Sequence, residues 1–109
     1  AVLVAYLSEL SAASVASASG DAKAAFHHLE RAHVLGQRHT WRHVRVHWLM
    51  LKWGLSSRNG REVRGQLTRI VAAALFSRIW VPIGNTGGAN VSAIQPMSIP
   101  DDLRALLEP

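Results

Sequence analysis

Apolar residues recur at helical spacing in four segments of the chain and alternate at strand spacing in none. Residues 2–18 set Leu3, Leu7 and Leu10 on an alanine-rich background, and Ser17-Ala18-Ser19-Gly20 closes that segment. Asp21 is placed to cap a second helix over 21–35, where Gly36 predicts a left-handed stop. A third helix is expected over 39–55, followed by the turn Ser56-Ser57-Arg58-Asn59-Gly60 with Asn-Gly as its strongest signal. The fourth runs over 61–80 until Pro82 forbids continuation. Residues 81–100 have no period and read as a long ordered loop folded over the bundle. Pro100-Asp101-Asp102 then opens a short final helix over 101–107. Short links between long helices imply antiparallel neighbours. The expected fold class is therefore all-α, a single domain over 1–109 built from two antiparallel helical hairpins.

The fourth helix carries two apolar strips. Val63, Leu67, Ile70 and Ala74 form the expected core face, and Ala72, Leu75, Phe76 and Ile79 a second one. Either the C-terminal segment covers that second strip or another copy of the chain does, which makes a homodimer an expectation. The stretch GDAKAAFHHLERA (20–32) is similar to the second helix of a tetratricopeptide repeat, with Ala25, Leu29 and Ala32 at its small, large and small positions. Gln37 stands where that repeat has Pro, and Glu9 and Ala16 where it has Trp and Tyr. The likeness implies shared hairpin packing rather than a peptide-binding array.

The third helix is the informative one. At about 100° per residue, Arg38, Arg42, Arg45 and Lys52 share one direction, which must face solvent. His43, His47, Met50, Leu51 and Gly54 lie opposite, and His39, His43 and His47 follow one another at i, i+4, i+8. On the second helix Ala22, Phe26, Leu29 and His33 share the apolar stripe, with Glu30 at its rim, while Lys23, His27 and Arg31 face away. Two neighbouring helices thus aim Glu30 and His33, and His43 and His47, at a common interior. Imidazoles at i, i+4 with a carboxylate are the donors that zinc, iron, nickel, manganese or copper(II) accept in helical bundles. The alternative is a set of core histidines, each bonded to a carbonyl or a neighbour. A second Glu-x-x-His is lacking, so a dinuclear carboxylate centre would need a dimer or is absent.

Composition narrows the remaining options. The absence of cysteine excludes disulfides, thiolate metal sites and cysteine nucleophiles. Twelve Lys and Arg against seven Asp and Glu make the chain basic. Trp41 and Trp48 flank the basic stripe of the third helix, a face suited to a protein or other anionic partner. Nucleic acid is not expected, since no recognition motif accompanies the charge. Nor is a membrane span, because no apolar run is long enough. The opening AVLVAYLSEL lacks a basic leader and is broken by Glu9, so a cytoplasmic location is expected. The loop GNTGGAN lacks the Gly-Lys-Ser/Thr of a phosphate loop, and no Gly-x-Ser-x-Gly elbow is present. Its glycines, with Asn85, Thr86 and Asn90, suit a loop covering one end of the histidine cluster.

Five separated blocks agree in order with one family: HHLERAHVLGQ (27–37), HVRVHWLMLKWG (43–54), REVRGQLTRI (61–70), VPIGNTGGANVS (81–92) and PMSIPDDL (96–103). Over residues 20–107 the chain resembles an uncharacterised bacterial family of small helical proteins, catalogued as a domain of unknown function. The resemblance implies a signature of His28, Glu30, His33, His43, His47, Gln66 and the loop Gly84-Asn85-Thr86-Gly87-Gly88. His39 lies outside it. The expected metal ligands are Glu30, His33, His43 and His47, with His28 and Gln66 placed to orient them by hydrogen bonds.

Overall fold

A computed structural model of the chain describes residues 1–76, 83–92 and 94–108, the side chain of Phe76 excepted. Five helices follow in order: α1 (Val2–Ala18), α2 (Ala22–Gly36), α3 (Thr40–Ser56), α4 (Gly60–Phe76) and α5 (Asp101–Leu107). The fold is all-α, with no strand among the described residues. α1 pairs with α2 and α3 with α4, and the two hairpins meet through α2 and α3. α5 closes against α2. The predicted C-terminal part of the fourth helix and Pro82 lie outside the described residues, as does Ile79.

Local chemistry sets the ends of these helices. Gly20 takes a φ of 81° after α1, and the Asp21 carboxylate then accepts from the Ala24 amide at 3.0 Å to cap α2. Asn59 caps α4 in the same way, its Oδ1 accepting from the Glu62 amide. Gly36 departs from its expected role. It is helical and has no positive φ. Smallness is what the position requires, because a Cβ there would stand 3.0 Å from the Tyr6 ring and 3.1 Å from the Arg42 side chain. In the turn before α4, Arg58 rather than Asn59 or Gly60 adopts the left-handed conformation.

The apolar core runs between the hairpins and includes Tyr6, Leu29, Ala32, Leu35, Val46, Met50 and Leu103. The polar direction of α3 is as expected, with Arg38, Arg45 and Lys52 exposed. Its inner face buries His43, Val46, His47, Met50, Leu51 and Gly54. The expected core face of α4 is corrected. Leu67 is 54% exposed, and Ala74 is exposed as well. The residues turned inward are Glu62, Gln66 and Ala73. The buried face is therefore offset by one position from the apolar strip, a rotation of about 100°.

Candidate metal centre

Each histidine reaches the interior for a local reason. His33 sits in the last turn of α2, where residues 32–37 are all buried between the hairpins and the C-terminal loop. His43 and His47 lie one turn apart on the inner face of α3. His39, the remaining member of the triple, falls at the N-cap of α3 and accepts from the Arg42 amide at 3.5 Å. It takes no part in the cluster.

The three Nε2 atoms converge. His33 Nε2 lies 3.0 Å from His43 Nε2 and 3.1 Å from His47 Nε2, and the last two are 3.1 Å apart. The rings of His33 and His43 meet nearly edge to face at 71°, as do those of His33 and His47 at 68°. The donor set is buried, with His33, His43 and His47 only 2%, 7% and 2% exposed.

Hydrogen bonds on the far side of two rings fix their tautomers. His33 Nδ1 lies 2.7 Å from the backbone oxygen of Asn85, which can only accept, so Nδ1 carries the proton. Gln66 donates its amide nitrogen to the Glu62 carboxylate and to the Gly87 carbonyl. Its oxygen is thereby turned to His47 Nδ1, 2.5 Å away, which must also donate. Both Nε2 atoms are then bare lone pairs in the neutral rings, facing each other at 3.1 Å. His43 can offer at most one N–H between them, and its own Nδ1 is buried without a partner. A proton shared among three lone pairs leaves the cluster poorly satisfied.

A cation at this point could satisfy the facing lone pairs. The three Nε2 atoms would hold a divalent cation as neutral nitrogen donors, with Gln66 and the Asn85 carbonyl setting the orientation of the His47 and His33 rings. Among the described residues His33, His43 and His47 form the group of donors, all within 4.8 Å of one another, that could hold a metal ion.

The loop expected to cover the cluster does so. Asn85 is its hub: Nδ2 donates to the Ser92 and Gln95 carbonyls, both at 2.7 Å, and Oδ1 accepts from the Gly87 amide at 2.8 Å. Gly87, at φ 86°, lies against the face of the His33 ring. A Cβ there would come within 2.4–2.7 Å of three ring atoms. Ala89 donates its amide to both oxygens of Glu62, tying the loop to α4.

Glu30 and His28 take other partners. The Glu30 carboxylate stands 4.0 Å from His27 and hydrogen-bonds Thr86. It borders a groove lined by Phe26, Trp53 and Asn90 and does not join the donor set. His28 Nδ1 is engaged by Glu9 at 2.7 Å, beside the Glu9–Arg31 ion pair, so it orients no ligand. Gln66, the other residue placed to orient a ligand, hydrogen-bonds Nδ1 of His47. Sequence reading missed Glu62 and the Asn85 carbonyl. A lone acid in a helix's first turn reads as a dipole partner, and a backbone oxygen has no residue signature.

Burial keeps the three rings neutral. It pushes His47 down to about 3, helped by His43 and opposed by Gln66, and His43 down to about 4. His33 is held well below the ordinary range by burial and by its two neighbours. Unfolded histidines take up protons near pH 6.5, so acid favours the unfolded chain. With chelator present, stability is expected to be full above about pH 6.5 and to fall steadily toward pH 4. Urea midpoints at stepped pH measure it, and a midpoint constant across that window would mean the rings are solvated.

The fold is an all-α domain that buries three imidazoles around one point, a group that could hold a metal ion between facing helices. The chain is a member of the family described as "Protein of unknown function (DUF3703)", which it matches over residues 1–107. No curated protein and no solved structure matches it.

Proposed function

We propose that the protein binds a divalent transition metal through Nε2 of His33, His43 and His47, and serves as a small metalloenzyme or a metal-handling accessory. One observation carries this reading: two of three converging nitrogens are compelled by their outer hydrogen bonds to present lone pairs to each other. A core histidine set satisfied within the protein would show the opposite, with each Nε2 facing a donor or an acceptor of its own. With nitrogen donors and no thiolate, zinc, iron, nickel, manganese and copper(II) are the candidates. The Glu62–Gln66–His47 and Asn85–His33 contacts are outer bonds of the kind that fix ring orientation in metal sites.

Elemental analysis of untagged native protein is expected to find close to one ion per chain, and reconstitution after chelation to restore it. Metal content far below one ion per chain under both conditions would overturn the reading. A second reading draws on the outer face of α3, where Trp41 and Trp48 are 73% and 54% exposed among Arg38, Arg45 and Lys52. That face suits docking to an anionic partner. Salt-sensitive retention of metal-free protein on an anionic matrix would favour it.

A further inference from the structure

The loop that roofs the histidines has a second side. Asn85 and Gly87 meet His33, and Ala89 meets Glu62. The residues between them meet other neighbours: Thr86 bonds Glu30, and a Cβ on Gly88 would stand 3.1 Å from the Phe26 ring. On that side Phe26, Glu30 and Asn90 line an open groove of about 760 Å³, a volume ordinary for a small-molecule site.

Two aromatic rings form one wall of the groove. Phe26 of α2 and Trp53 of α3 stand 4.4 Å apart between centroids at 51°. Trp53 is pinned there, because its Nε1 donates to the Ala22 carbonyl at 2.8 Å. Both rings are half-buried and line the groove, and Ala22 and Ala24 extend the apolar lining.

Glu30 follows Phe26 by four residues and so brings a carboxylate to the same side of α2. Its side chain is only 23% exposed, and His27, at 4.0 Å, is too far for a hydrogen bond. A carboxylate has about four acceptor positions, and the Thr86 hydroxyl uses one. Asp21 is a second acid lining the groove, against Lys23, which is exposed. Ring faces and a desolvated carboxylate attract the same charge, so both favour a cation and disfavour an anion.

We propose that this groove binds a small organic cation, a primary ammonium carried on an apolar body, with its N–H groups on the Glu30 carboxylate and its hydrocarbon part against Phe26 and Trp53. The site does not rest on a metal at the histidine cluster, which lies on the other side of the loop.

Calorimetric titration of the full chain with benzylamine tests it, with benzyl alcohol as the neutral control and benzoate as the anionic one. Chelator throughout keeps the amine from coordinating a metal, so no signal can come from the histidine cluster. Expected is saturable amine binding about tenfold or more tighter than either control, the worth of one charge-assisted bond. The indole N–H resonance of Trp53, assigned with Trp53→Phe, should shift along the same titration. Glu30→Gln should lose about that tenfold for the amine and leave the alcohol unchanged. Lys23→Ala removes a like charge and should tighten the amine. Circular dichroism checks the fold of each variant. Should Glu30→Gln not fold, the amine-against-alcohol difference in wild type and the Lys23→Ala change carry the test. Equal affinity for amine and alcohol, preference for benzoate, or weaker amine binding in Lys23→Ala would overturn the proposal, as would a folded Glu30→Gln that binds the amine like wild type.

Discussion

With excess zinc or nickel, the wild-type protein is expected to melt roughly 15 °C or more above its chelated form, and His43→Ala and His47→Ala to lose that increment. An ion held at about a thousand times its dissociation constant stabilises the folded state by about 4 kcal/mol. In a domain of this size each kcal/mol moves the melting temperature by about 4 °C or more. Removing one imidazole leaves two of three donors, with no fourth described side chain in place to substitute. The variants differ without metal. His47→Ala strands the Gln66 oxygen, which is buried, whereas His43→Ala breaks only contacts to the other two Nε2 atoms. His47→Ala should therefore be the less stable when chelated, although both lose the increment. His28→Ala is the control, since that ring pairs with Glu9, and it should keep the full increment. Equal increments in wild type and both cluster variants would reject these histidines as ligands. Scanning fluorimetry with and without chelator measures all four proteins.

The helices were legible because their ends obey local chemistry. Asp21 caps α2 as read, and the i, i+4 spacing of His43 and His47 survives into the structure unchanged. His33 was legible as well, since it closes the apolar stripe of α2. Glu30 keeps the position its angle gave it but does not join the three histidines. It lies at the rim as its angle requires, but Thr86 and His27 meet it first, and loop positions are not encoded by helical period. Gly36 shows the same limit from the other side. It reads as a helix stop, yet its size answers to Tyr6, a residue thirty positions away in sequence.

The error on α4 is the most instructive, because it is the signature of the site. Val63, Leu67, Ile70 and Ala74 present an apolar strip, and hydrophobic patterning assigns that strip to the core. The helix is turned by one position because Glu62 and Gln66 are required inside. Gln66 is fully buried and bonds His47, Glu62 and Gly87 together. Leu67 and Ala74 are left exposed as a result. A helix that exposes a leucine in order to bury a glutamate and a glutamine is placed by its polar contacts rather than by its apolar face. The cluster and the register of α4 are one structural fact.

Gly87→Ala is the substitution expected to damage the site most without touching a donor. The residue holds φ at 86°, a conformation that costs an L-residue about 1–2 kcal/mol. The added methyl would also lie 2.4 Å from Cδ2 and 2.7 Å from Nε2 of His33, well inside van der Waals contact. The loop must lift to make room. Lifting it strains three bonds together: Gln66 to the Gly87 carbonyl, the Gly87 amide to Asn85, and His33 Nδ1 to the Asn85 carbonyl. Losing the last two frees the His33 ring and its tautomer. The expected result is a loss on the order of 3 kcal/mol in urea unfolding, together with metal affinity about 10–100-fold weaker. Gly60→Ala supplies the comparison. That glycine has an ordinary φ at the start of α4, and a Cβ there would meet only Arg64 at 3.6 Å. It should match or slightly exceed wild-type stability and leave metal binding intact. If the two variants unfold alike and bind metal alike, the loop does not hold His33 in place.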